Sequence, residues 1–208
     1  MTVESTTRDR IRREAAALFR EKGFNGTSMA ELAAEVGINK SSLYHHFPSK
    51  QALLSEIIEL TVNRVTPLVQ EVAEAALPIR ERLGRAVALH TVEAIHDQDA
   101  VACFIEEGRY LAPDYMTAHV AKRDHYESIF EAMFQEGIVS GEFVNQDIGL
   151  AVKAILGMSN SVVRWYQPGG DHTPEEIASE FARFAVRGAA EARGISPPVK
   201  EVADERSA

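Results

Sequence analysis

Thr27-Ser28-Met29-Ala30-Glu31-Leu32-Ala33-Ala34-Glu35-Val36-Gly37-Ile38-Asn39-Lys40-Ser41-Ser42-Leu43-Tyr44-His45-His46-Phe47-Pro48-Ser49-Lys50 is the stretch whose reading decides the fold. Met29, Leu32, Ala33 and Val36 recur at i, i+3, i+4 and i+7, the spacing of one helical face. Ser28 followed by Glu31 is a capping box: the hydroxyl takes the N3 amide and the carboxylate takes the cap amide. Gly37 ends that helix. Asn39 is the N-cap of a third, two-turn helix that closes near Phe47-Pro48, and Ser49 caps a long fourth helix. The short helix has one inward anchor, Leu43, and presents Lys40, Ser41, Ser42, Tyr44 and His45. Two short helices meeting at a glycine, the second polar and rich in hydrogen-bonding groups, suit the major groove of DNA. Short polar helices between glycines also occur in helical proteins that bind no DNA, so spacing alone leaves both readings open.

Working outward, Ile11, Ala15, Leu18 and Phe19 form the stripe of a first helix that Gly23 stops. After Ser49, residues Leu53, Leu54, Ile57, Ile58 and Val65 face inward along the fourth helix. Pro67 removes a backbone donor and is expected to kink or end it. Further helices are predicted over 79–97, near 100–109, over 113–137 and over 147–166, the last apolar almost all round. Thr173 and Glu176 make a second capping box, with Pro174 at the favoured first position of a final helix ending at Gly188 or Gly194. No segment alternates as a strand does, and no internal repeat is present. The predicted architecture is all-α: a three-helix helix-turn-helix domain over residues 1–50, a larger helical ligand-binding and dimerisation domain over 51–194, and a flexible tail over 195–208.

Charge assigns the roles of these parts. The 208-residue chain carries a net charge of −9, which taken whole argues against a polyanionic partner. Residues 1–50 nevertheless hold eight Lys/Arg against six Asp/Glu, a net of +2, and the remainder holds 14 against 25, a net of −11. Any phosphate contact therefore belongs to the head. No apolar run approaches the roughly 20 residues of a membrane span, and the N-terminus has no apolar run of the signal-peptide kind. Cys103 is the only cysteine, so no intramolecular disulfide forms, and a cytoplasmic location is expected. No phosphate loop, dinucleotide fingerprint or serine elbow is present, and no cofactor is predicted.

The quoted stretch, extended to Gly23-Phe24 and to Gln51-Ala52-Leu53-Leu54, resembles the DNA-binding domain of the TetR family of transcriptional regulators without a gap over roughly forty residues. The resemblance implies roles by position. Lys40, Ser41 and Tyr44 fall where the family touches bases, and Thr27, Ser28, Ser42, His45 and Lys50 fall where it touches phosphate. His46 and Phe47 are expected to close the head against the fourth helix. The implied partner is a pseudo-palindromic double-stranded operator, gripped by a homodimer with no membrane involved.

Two segments of the body, Phe104-Ile105-Glu106-Glu107-Gly108-Arg109-Tyr110-Leu111-Ala112-Pro113 and Arg164-Trp165-Tyr166-Gln167-Pro168-Gly169-Gly170, resemble a KstR2-like subgroup of that family whose effectors are acyl-CoA thioesters. An effector that is a small hydrophobic molecule, an acyl-CoA or a fatty acid is thereby implied. On residue chemistry, Phe104, Tyr110, Tyr126, Phe130, Met133, Phe134 and Trp165 are candidates to line an apolar tunnel. Arg109, Arg164 and Arg123 are candidates to pair with its anion. The same aromatic stripe equally suits a packed core, and Arg164-Trp165 equally suits a helix end with the guanidinium on an acidic neighbour.

The apolar helix at 147–166 and the final helix carry Gly157, Ser159, Ser161, Ala178, Ala182 and Ala185, which permit close approach. A four-helix interface across a two-fold is the economical way to cover them, with a thick monomer core as the alternative. No metal site is predicted: the adjacent His45 and His46 point apart, and Glu106, His119, Asp124 and His125 lack clear ligand spacing. Cys103 sits among apolar residues and reads as a buried, inert thiol. The resulting expectation is a repressor released from DNA by a hydrophobic effector. The alternatives are an activator, or a helical ligand-binding enzyme carrying an accessory N-terminal bundle.

Overall fold

Each helix of the head begins on the cap that its sequence specifies. In the computed structural model, which describes residues 6–191, helix α1 (Thr7–Lys22) is capped by Thr6, α2 (Met29–Val36) by Ser28, α3 (Lys40–His46) by Asn39 and α4 (Lys50–Glu74) by Ser49. Ser28 and Glu31 make both bonds of the capping box. Gly37 closes α2 at φ 72°, ψ 34°, a left-handed conformation that a Cβ would strain. Ile11, Phe19, Leu32, Leu43, Phe47, Leu53 and Leu54 are fully buried and form the core of the head.

The body follows as α5 (Ile79–His96), α6 (Gln98–Ala102), a π-helical turn (Cys103–Glu107), a 3-10 turn (Gly108–Tyr110), α7 (Pro113–Val139), α8 (Ile148–Asn160), α9 (Val162–Trp165) and α10 (Pro174–Ala190). Among the described residues there is no strand, and no helix is long and apolar enough to cross a membrane. The second core joins Val69, Leu83, Val87, Phe130, Met133, Phe134, Val152 and Ala185 from α4, α5, α7, α8 and α10. The proposed tail, 195–208, lies outside the described residues.

Three expectations need correction. Pro67 does not end α4, which runs on to Glu74. Pro67 is exposed. The Asn63 carbonyl that loses its donor belongs to an exposed residue, where water can take the donor's place. Val62 and Val69, on either side of the proline, are buried and anchor both halves. The second correction concerns the helix expected near 100–109, where residues 98–110 instead form an α-turn, a π-turn and a 3-10 turn in succession. The third concerns 147–166, which is not one helix buried all round. It breaks at Ser161, and Leu150 and Trp165 stand 66% and 49% exposed.

Candidate functional site

On the head, α3 is held from behind and open in front. Leu43 is its one buried residue. Lys40, Ser41, Tyr44 and His45 are exposed and Ser42 is half-buried. The Asn39 carboxamide oxygen accepts from the Ser41 hydroxyl at 2.7 Å and the Ser42 amide at 2.7 Å. The Lys40 ammonium lies 5.9 Å from the centroid of the Tyr44 ring, so charge and phenol occupy one face. Behind them, Arg8 on α1 donates to the His46 carbonyl at 2.8 Å and to Glu56 of α4, and its guanidinium lies 4.3 Å from the Phe47 ring centroid. Arg12 adds a 2.5 Å bond to the same Glu56 carboxylate. Glu56 thus ties α1 and, through Arg8, the end of α3 to α4. Those guanidiniums hold its carboxyl below the usual range.

Of the residues assigned to phosphate, Thr27 and Lys50 are turned inward. Thr27 is 2% exposed, and its hydroxyl donates inward to the Gly23 carbonyl at 3.0 Å. It is a structural residue with nothing to offer a phosphate from its side chain. The Lys50 ammonium donates to the carbonyls of Phe24 at 2.5 Å and Thr27 at 2.7 Å and sits 4.3 Å from the Phe24 ring centroid. Carbonyl dipoles and a ring face, strong partners for a cation, draw it into the 23–27 loop. Ser28 stays exposed, with its amide donating to Glu31 at 2.8 Å within the capping box.

In the body, a cavity of about 440 Å³ opens between α4, α5, the π- and 3-10 turns, α7 and α8. Its apolar wall includes Val62, Val65, Ala94, Val101, Ile105, Met116 and Leu156. Of the residues predicted to line the tunnel or to pair with its anion, the structure brings Phe104, Arg109, Arg123 and Tyr126 to this cavity. It places the others elsewhere. Phe130, Met133 and Phe134 are 0, 2 and 1% exposed and belong to the packed core, because a helix stripe facing three neighbouring helices has no room for a ligand. Tyr110 faces the head and stacks on Phe24 at 6.1 Å. Arg164 stands at the surface and bonds Glu106 at 2.9 Å, the helix-end alternative. Trp165 packs edge-on to Phe181 and donates its Nε1–H to the Ser161 hydroxyl.

The cavity is polar at two levels. Arg64, Arg109, Arg123 and Lys153 line it and are exposed. Arg64 is paired with Glu93 at 3.3 Å and Asp97 at 2.9 Å, and Arg123 with Asp124 and Glu127. Arg109 and Lys153 have no ion pair among the described residues, so the mouth retains free positive charge. Deeper, buried His90 meets the Tyr126 hydroxyl at 2.6 Å through Nδ1 and the Asn160 Oδ1 at 3.0 Å through Nε2. Burial lowers the His90 pKa to about 4 and pushes the Tyr126 hydroxyl up. Cys103 is fully buried, with its pKa raised by that burial and by Glu107, in keeping with an inert thiol.

A head with a presented helix, joined by a continuous α4 to a helical body with a cavity, matches known proteins along its length. Residues 76–189 match the family model for the tetracyclin repressor-like C-terminal domain, and residues 11–57 match that for bacterial regulatory proteins of the tetR family. The chain belongs to the TetR family of transcriptional regulators. It is 27% identical over 180 residues to the HTH-type transcriptional repressor KstR2 of Rhodococcus jostii, covering 85% of this chain and 87% of that one. Against the TetR-family regulator PfmR of Thermus thermophilus, identity is 33%, the TM-score is 0.79, and 86% and 98% of the two chains are covered. AibR, solved with isovaleryl coenzyme A and operator DNA, shares the fold at a TM-score of 0.78 and 24% identity over 86% of this chain and 97% of its own. Family and relatives are regulators, which removes the helical-enzyme alternative.

In this TetR-family regulator, the cavity residues that periodicity missed include Arg64, His90, Lys153 and Asn160. Arg64 lies on α4, His90 on α5, and Lys153 and Asn160 on α8, and no local pattern marks them until four helices converge. Gly157 lines the cavity, and a Cβ there would meet nothing within 4 Å. The signal available in the sequence was a buried-type histidine in mid-helix, His90, with apolar neighbours on its own face at Ala86, Val87 and Ala94.

Proposed function

We propose that this TetR-family regulator is a homodimeric repressor that leaves its operator when a hydrophobic acid, or its CoA thioester, enters the body cavity. The observation that carries the reading is the cavity itself: an apolar interior of about 440 Å³ with unpaired Arg109 and Lys153 at its mouth. Apolar burial at roughly 25 cal/mol per Å² supplies affinity, and a guanidinium at the entrance selects an anion. A volume toward the low end of ligand sites holds an acyl chain, so the nucleotide end of a CoA would stay outside. The AibR complex, in a protein of the same fold, lends support to a thioester.

Coupling to DNA runs through α4, which begins at Lys50 directly behind α3 and lends Thr61, Val62, Arg64 and Val65 to the cavity. A shift of α4 changes the separation of two recognition helices across a dimer. A hundredfold loss of operator affinity requires only about 2.7 kcal/mol of differential effector binding. Lys40, Ser41 and Tyr44 are the proposed base-contacting residues, and Ser42 and His45 the proposed phosphate contacts. The proposed dimer seam is the α8–α10 face, where a groove lined by Ala151, Ala154, Met158 and Gly188 lies beside Phe184, 59% exposed. The test is a gel shift on the DNA upstream of its own gene, titrated with free acids and CoA thioesters of matched chain lengths. Release by either series supports the reading, and release only by cationic or polar compounds overturns it.

A further inference from the structure

The inner wall of the cavity carries an unused hydrogen-bond donor whose direction is set by its neighbours. Asn160 Oδ1 faces His90 Nε2 at 3.0 Å. A carboxamide oxygen only accepts, so Nε2 carries the proton. Nδ1 of the same neutral ring is then an acceptor, and the Tyr126 hydroxyl, 2.6 Å away, donates to it. The relay therefore runs from Tyr126 through His90 to Asn160, with every role decided. His90 and Tyr126 are 9% and 7% exposed, which fixes both rings. The Asn160 amide nitrogen, with two N–H groups, has no hydrogen-bond partner among the described residues and is not among the enclosed polar atoms left without one. It is accessible, and Asn160 lines this cavity.

We infer that Asn160, positioned by Tyr126 and His90, is the specificity donor of the effector site and takes an uncharged carbonyl oxygen of the ligand. This rests on the effector reading above and deepens it. The relay is neutral, so nothing in it balances a carboxylate. The free cations, Arg109 and Lys153, stand at the exposed mouth. The ligand class is thus bifunctional, with a carbonyl set against Asn160, an apolar chain along Val65 and Leu156, and an anionic part at the mouth. A thioester meets all three requirements, whereas a free acid has one oxygen-bearing group and must choose between the two levels.

The experiment compares octanoyl-CoA with S-octyl-CoA, the thioether that lacks only the carbonyl oxygen, by calorimetric titration of the full-length dimer. One neutral hydrogen bond predicts that wild-type protein binds the thioester about three- to tenfold more tightly. Asn160→Asp keeps the acceptor for His90 and replaces the donor by an oxygen, so it should abolish or reverse that preference while the thioether still binds. Asn160→Leu, checked for an unchanged helical circular dichroism spectrum, should make the two ligands equal. Equal binding of both compounds to wild-type protein, or a preference that survives in both variants, overturns this inference alone. Binding of neither compound to wild-type protein overturns the thioester reading and this inference together.

Discussion

The Glu107 carboxylate, buried in the π-helical turn of the body, accepts a 2.8 Å hydrogen bond from the backbone amide of Phe24 in the head. The same loop is held from its other side by Lys50 on the Phe24 carbonyl. Tyr110 stacks on the Phe24 ring, and Gln51 bridges the Tyr110 carbonyl and the Ala112 amide at 2.7 and 2.9 Å. A π-helix widens the turn, so neighbouring residues here diverge: Ile105 and Arg109 face the cavity, Cys103, Glu107 and Tyr110 face the head, and Phe104 touches both. Glu107→Ala leaves the Phe24 amide without its partner in a closed interface. It is expected to destabilise the protein by about 1–3 kcal/mol, and Glu107→Gln, which keeps an acceptor, by less. Urea denaturation of both variants checks the order.

Lys50→Ala should act on the head's stability. The ammonium is engaged by two carbonyls and a ring face, so its loss is expected to cost on the order of 2 kcal/mol. The salt dependence of operator binding should then stay nearly unchanged. If the slope of log K against log salt flattens by about 0.9 with no loss of stability, Lys50 contacts a phosphate instead.

Tyr44→Ala and Lys40→Ala remove exposed side chains from α3. Neither touches the buried core of the head, so thermal midpoints should hold within a degree or two while operator affinity falls at least tenfold. Fluorescence anisotropy on a labelled operator, run beside a thermal melt, separates loss of contact from loss of fold.

Stability should fall with pH through His90. Its folded pKa, about 4, lies below the unfolded value near 6.5, so the unfolded chain binds the extra proton. The loss begins as pH drops through about 6.5 and is complete near 4, amounting to roughly 3 kcal/mol. Carboxylates held low, such as Glu56 with Arg8 and Arg12, add a loss at the acid end of that window. Comparison with His90→Gln isolates the histidine: the variant should show a flatter profile between pH 6.5 and 5. Parallel profiles would mean that His90 protonates in the folded protein.

Phe184→Asp tests the proposed seam. A charge at the α8–α10 groove, beside apolar Met158 and Ala185, should convert a micromolar dimer to monomer in sedimentation velocity and abolish operator binding. A wild-type protein that sediments as a monomer removes the dimer from the mechanism.

The sequence by itself determined the elements whose causes are local. Ser28, Asn39, Ser49 and Thr173 each start a helix because the cap oxygen and the amides it holds lie within three residues, and Gly37 ends one because only its own φ is at issue. The presented face of α3 was legible for the same reason: a two-turn helix with one apolar anchor has only one face to bury. Tertiary structure decided what depends on distant partners. Periodicity states that Tyr126, Phe130, Met133 and Phe134 share a face, but not that the cavity reaches the first and the core closes over the others. Arg64, Lys153 and Asn160 became cavity residues only when α4 and α8 were brought together across α5 and α7. Thr27 and Lys50 turned inward because the 23–27 loop offered carbonyls that no local pattern reveals. Pro67 failed to end α4 because packing on both sides outweighed one lost hydrogen bond.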